Sequence, residues 1–73
     1  MHITVKLYGS YCIGRFDSAL REYPAGSTIA TIVHDLGLSP EYLIRLRNGR
    51  HASFDDVVQE DDTVSLLPML DGG

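Results

Sequence analysis

An α+β fold, with one mixed sheet of four to five strands packed on one main helix, is what this 73-residue sequence predicts. Three observations carry the prediction. The opening "HITVKLY" alternates apolar and polar residues with a period of two, the mark of a strand buried on one face. "TIATIVHDLG" places Ile29, Ile32, Val33 and Leu36 at i, i+3, i+4 and i+7, a single apolar stripe along a helix. The closing "TVSLLPM" is another apolar strand, and these three patterns must bury one another.

The elements follow in order. In the first strand Ile3, Val5 and Leu7 point to the core, and His2, Thr4, Lys6 and Tyr8 away from it. "GSYCIG" is bounded by Gly9 and Gly14, which mark a loop or wide hairpin turn. "FDSALREY" reads as a second strand with poor alternation. Pro24 and Gly26 then turn the chain, and Ser27 or Thr28 supplies an N-cap oxygen. The helix is expected to run about ten residues, roughly three turns, and to stop at Gly37 in a left-handed conformation.

"LIRLR" is the third strand, with Ile44 and Leu46 expected on its buried face. Asn48-Gly49 is the strongest hairpin signal in the chain, because both positions of such a turn need positive φ. "RHAS" forms a short fourth strand, and Val57 or Val58 drops into the core from "FDDVVQEDD". In the last strand Val64 and Leu66 face inward and Leu67 outward. Pro68 has no N–H to donate, so it should end the pairing. The compact solution places the first and last strands side by side and parallel at the sheet centre. That arrangement is the β-grasp, or ubiquitin-like, fold; a helix-free four-strand sheet is disfavoured by the clean helical stripe.

Composition narrows the function. The chain is one domain, residues 1–73, with 44% hydrophobic and 22% charged residues and a net charge of −4. Lys6 is its single lysine, and the arginines never gather into a basic face, which argues against nucleic acid. No apolar run approaches the roughly 20 residues of a membrane span. The N-terminal alternation is unlike a signal peptide. One cysteine, Cys12, cannot staple the fold, and a free thiol fits a reducing, cytoplasmic setting. The acidic "QEDD" suits turn chemistry, solubility and steering of a basic partner.

Most chemistry-bearing residues read as ordinary. His2, His34 and His51 lie on different elements without metal-ligand spacing. Asp55, Asp56, Glu60, Asp61 and Asp62 match no calcium loop. Cys12 lies in a small glycine-bounded loop, a poor place to orient a base, so an incidental thiol is expected. No metal or cofactor is expected on this chain.

The ending differs. Beyond Pro68 come Met69, Leu70, Asp71, Gly72 and Gly73, expected as a flexible tail reaching about 17 Å when fully extended. Two glycines without side chains fit a narrow channel and adopt backbone angles closed to other residues. They would deliver the α-carboxylate of Gly73 into a partner's active site. A carboxylate becomes an acyl donor by attacking the α-phosphate of ATP to form an acyl-adenylate. A sulfur nucleophile then leads to a thiocarboxylate, and a thiol followed by an amine leads to a protein conjugate. An idle, frayed end is the plain alternative.

In order along the chain, "ITVKLYG", "EYPAGSTIATIVHDLGL" and "RNGRHASFDDVVQEDDTVSLLPMLDGG" resemble the ubiquitin-like sulfur carriers of the ThiS/MoaD family over essentially the whole length. Most specific are "NGR", the aspartate-valine turn, "DDTVSLLP" and the final "GG". The resemblance implies that Gly73 is the acyl-adenylate and thiocarboxylate acceptor and Gly72 the channel residue. It implies that Leu67, Pro68, Met69 and Leu70 are gripped by partners. Those partners would be an E1-like adenylating enzyme using ATP and Mg²⁺, and a sulfur-acceptor enzyme of the molybdopterin synthase large-subunit or thiazole synthase type. On this resemblance the chain is a carrier and not an enzyme.

"LLP" looks most like the molybdopterin synthase small subunits and so points to molybdenum- or tungsten-cofactor synthesis. Thiamine thiazole or amino-acid synthesis, a lysine-linked protein modifier and a plain docking module are the alternatives. Two departures stand out. Met69 occupies the place of a second proline, and Asp61 that of a glycine before the last strand, where aspartate tolerates a left-handed backbone.

Overall fold

The structure, a computed structural model, describes residues 1–69. Strand β1 (His2–Leu7) pairs antiparallel with β2 (Ser18–Glu22) and parallel with β5 (Thr63–Pro68). On the other side of β5 lies β3 (Leu43–Arg47), followed by the two-residue β4 (Arg50–His51), giving the order β2-β1-β5-β3-β4. First and last strands therefore lie side by side and parallel, with helix α1 (Ile29–Asp35) on one face of the sheet. The β-grasp expectation holds.

Local chemistry explains each boundary. Thr28 caps α1 by accepting from the Thr31 N–H, and the Thr31 hydroxyl accepts in return from the Thr28 N–H, a reciprocal capping box. At the other end the Gly37 N–H donates to the His34 carbonyl and the Leu38 N–H to the Val33 carbonyl. With Gly37 at φ +69 this is a Schellman closure. The caps consume both ends of the ten-residue run, so the helix proper has seven residues. Asn48 and Gly49 take φ values of +52 and +82 between Arg47 and Arg50, the expected hairpin turn.

The core joins Ile3, Val5 and Leu7 of β1 to Val64 and Leu66 of β5 and to Ile29, Ile32 and Val33 of α1. Val58 enters it while Val57 stays 43% exposed. Removing Leu66, which has no exposed surface, down to alanine should cost about 2–5 kcal/mol.

Strand β3 corrects the sequence reading. Its register sets Arg45 opposite Leu66 and Arg47 opposite Val64, so Leu43, Arg45 and Arg47 share the helix side. Ile44 and Leu46 lie on the opposite face with Leu67 and Ser65, half-buried. The reason is the reach of α1. A seven-residue helix is only about 10 Å long, and the inner face of β3 is covered instead by the 52–62 segment. Arg45 donates to the Ala52 carbonyl and sits 4.0 Å from the Phe54 ring centroid, while Arg47 meets Asp62. Arginine stems pack on apolar surface while their heads find polar partners.

Candidate functional site

The sequence placed the site at the end of β5, and the structure shows how that end is presented. Its base is pinned. Asp62, 6% exposed, accepts from Arg47 Nε, from Asn48 Nδ2 at 2.9 Å and from the Gln59 N–H at 2.7 Å. Asn48 also accepts from the Thr63 N–H at 2.8 Å. Burial pushes the Asp62 carboxyl up, but the hydrogen bonds from Asn48, Gln59 and Arg47 outweigh it and hold the group below the usual carboxylate range. Asp61 takes φ +68, the left-handed turn that aspartate supports in place of glycine.

Two acids of "QEDD" are thereby committed within the protein. Asp62 anchors β5, and Glu60 receives the His2 ring nitrogen at 3.0 Å. Hydrogen bonding to Glu60 raises the His2 pKa, and the same bond lowers that of Glu60. This acidic end lies at the start of β5, opposite the end where the chain leaves the sheet.

At the leaving end Leu67 pairs with Ile44 and Pro68 with Leu43. Pairing does not stop at Pro68, because the Met69 N–H donates to the Tyr42 carbonyl at 2.6 Å. Proline lacks an N–H of its own, but it does not prevent its successor from donating. Tyr42 adopts φ +58 at this position. On the other flank Pro68 packs against Gly9, where an added Cβ would lie 2.9 Å from the proline Cγ and φ is already +58. Gly9 opens a short 3₁₀ turn (Gly9–Cys12), and Cys12 Sγ donates to the Gly9 carbonyl at 3.0 Å. Arg15 ties this loop to the helix end through the Leu36 carbonyl at 3.2 Å.

The exit is rimmed with exposed apolar surface: Tyr8 is 44%, Tyr42 75% and Met69 50% exposed. Half-buried Leu67, Ile44 and Leu46 continue it over the helix-free face. Exposed apolar patches of this kind are common places for one protein to meet another. Of the expected site residues, Leu67, Pro68 and Met69 are brought together here. Leu70, Asp71, Gly72 and Gly73 lie outside the described residues. Sequence reasoning missed Tyr8, Tyr42, Ile44 and Leu46. An exposed aromatic at each strand boundary was a usable signal for the tyrosines, whereas Ile44 and Leu46 had been assigned to the core.

Other candidates stay apart. His34 and His51 are exposed on different elements. Among the described residues no group of three or more His, Cys, Asp or Glu side chains is placed to hold a metal ion, and no helix is long and apolar enough to cross a membrane.

Comparison with known proteins agrees with this architecture. The ThiS family model matches residues 5–73. The sulfur carrier protein TtuB of Thermus thermophilus is 29% identical over 52 residues, covering 71% of this chain and 80% of its own length. The crystal structure of small archaeal modifier protein 1 of Haloferax volcanii is similar in fold, with TM-score 0.80 and 17% identity over 94% of this chain and 98% of its own. A putative molybdopterin converting factor subunit 1 from Pyrococcus furiosus gives TM-score 0.81 and 18% identity over 96% and 99% of the two chains.

Proposed function

The chain belongs to the ThiS family, and from that premise we propose that it is a sulfur carrier whose C-terminal carboxylate is activated and loaded by partner enzymes. The observation that carries the proposal is the family match through Gly73 combined with the presentation of β5. That strand lies at the sheet centre, anchored at its start by Asp62, and its described end at Pro68 and Met69 sits within an apolar collar. A carrier needs this division, a fixed globule for recognition and a terminal segment for delivery. The naming of TtuB as a sulfur carrier supports the reading.

In the proposed chemistry a Gly73 carboxylate oxygen attacks the α-phosphate of ATP on an E1-like enzyme, with Mg²⁺, and pyrophosphate leaves. The acyl-adenylate carbonyl is then attacked by an enzyme persulfide, and AMP leaves. A second thiol of the enzyme attacks the enzyme-side sulfur of the resulting acyl disulfide. That step forms an enzyme disulfide and frees the carrier as a C-terminal thiocarboxylate. The carrier contributes the acyl group and no catalytic side chain, so it is a co-substrate and not an enzyme. Gly72 and Asp71 would pass into the partner's channel, and Leu67, Pro68, Met69 and Leu70 would be held by the partner.

The acceptor we propose is an enzyme of the molybdopterin synthase large-subunit type, supported by Leu66-Leu67-Pro68 before the tail. Delivery to a thiazole synthase would use the same activation, as would conjugation to lysines of other proteins. Intact-mass measurement after co-production with the activating enzyme separates these outcomes. The carrier reading expects a gain equal to exchange of one oxygen for one sulfur, lost on deleting Gly73 while Tm stays nearly constant. High-mass isopeptide adducts in place of that gain would overturn it in favour of a modifier. The same measurement on purified protein checks that Gly73 carries a free carboxylate.

A further inference from the structure

The sheet has two edges, and the chain treats them differently. At the β4 edge pairing covers only Arg50 and His51, and Arg45 Nη1 donates to the Leu43 carbonyl at 3.0 Å. Short length and a side-chain plug are ordinary ways of closing an edge to other strands. The β2 edge has neither.

Along β2 the Asp17 carbonyl accepts from the Leu7 N–H at 2.9 Å, and the Tyr23 N–H donates to the Met1 carbonyl at 2.9 Å. With Val5 opposite Ala19 and Ile3 opposite Arg21, the odd-numbered residues of β2 bond inward to β1. Ser18, Leu20 and Glu22 therefore turn their N–H and C=O groups outward. Among the described residues no loop or cap takes up these groups. The strand "SALRE" contains neither lysine nor proline, and its midpoint, Leu20, is 68% exposed.

We propose that this edge binds a second copy of the chain, β2 pairing antiparallel with the same strand about a twofold axis through Leu20. The strand is self-complementary in that register. Leu20 meets Leu20 of the second copy, which covers the apolar side chain that the monomer leaves bare. Ser18 faces Glu22 twice, Ala19 faces Arg21 twice, and no like charges stand directly opposed. All three outward residues are used. Sliding either copy by two residues drops one of them, and one of the two slides sets Arg21 against Arg21. Because β5 runs parallel to β1, the two exit ends point in opposite directions, and each remains open to its own partner.

A single strand edge buries less than the roughly 1,600 Å² of a stable complex, so the association is concentration-dependent. Sedimentation equilibrium on the full chain is expected to show monomer at about 10 μM and dimer at about 1 mM. Over the same range the amide exchange of Ser18, Leu20 and Glu22 slows. S18E places a carboxylate opposite Glu22 twice and is expected to weaken association about tenfold. Adding E22K restores it through opposite charges, a rescue that reports the register. Monomer throughout the range would overturn the proposal, as would a dimer indifferent to S18E. Protection of these amides only on adding a different protein would also overturn it, assigning the edge to that protein.

Discussion

Gly9→Ala tests how the exit of β5 is held. Gly9 sits at φ +58, and an added Cβ would lie 2.9 Å from Pro68 Cγ and 3.4 Å from Pro68 Cδ. The left-handed backbone alone costs an alanine about 1–2 kcal/mol. The contact adds roughly 1 kcal/mol, the low end of overpacking, because the ring can pucker but its backbone is fixed opposite Leu43. The total, about 2–3 kcal/mol, corresponds to a fall in Tm of about 10–20 °C for a domain of this size. Gly14→Ala is the control: φ is +73, but nothing lies within 4 Å of the added atom, so it should lose only the backbone part. Urea or thermal unfolding of Gly9→Ala, Pro68→Ala and the double variant should then reveal a coupling of about 1 kcal/mol. If Gly9→Ala costs no more than Gly14→Ala, or if the double variant is additive, the loop does not buttress the exit and the reasoning fails.

Three further predictions follow from the same geometry. Asp62→Ala removes the acceptor of three hydrogen bonds at the base of β5 and should cost about 2–3 kcal/mol in chemical denaturation; a loss under about 0.5 kcal/mol would mean that the strand is anchored elsewhere. The contribution of the His2–Glu60 pair to stability should be greatest between about pH 4.5 and 6.5. The raised His2 pKa gives stability that is present below its unfolded value and lost as pH rises through the folded one, and the lowered Glu60 pKa gives stability lost as pH falls. His2→Gln should flatten the alkaline limb of a Tm-against-pH curve, and an unchanged limb would contradict that assignment. Leu67→Glu, on the helix-free face opposite Ile44, should weaken binding to the proposed activating enzyme at least about tenfold while changing stability by less than about 1 kcal/mol. Collapse of the fold in circular dichroism would show that Leu67 is a core residue.

Much of this protein was legible locally because the relevant physics is local. Periodicity in "HITVKLY" and "TIATIVHDLG" reports which face each element buries, and Asn48-Gly49 and Gly37 announce their backbone angles through residue type. The parallel pairing of the first and last strands was accessible from the same patterns, since few compact arrangements bury all three apolar sets together. The tail proposal likewise rests on side-chain-free residues whose character is plain in one dimension.

What the tertiary structure alone decided concerns surfaces shared between distant segments. "LIRLR" has apolar residues on both faces, so alternation could not choose between them. The choice fell to the 52–62 segment, whose Ala52 carbonyl, Phe54 ring and Asp62 carboxylate receive Arg45 and Arg47 and turn Ile44 and Leu46 outward. The collar of Tyr8, Tyr42 and Met69 was hidden for a similar reason: residues far apart in sequence meet only when β1, β3 and β5 are aligned in one sheet. Periodicity tells each strand that it has an inside. Only the partners that come to lie across it determine which side that is.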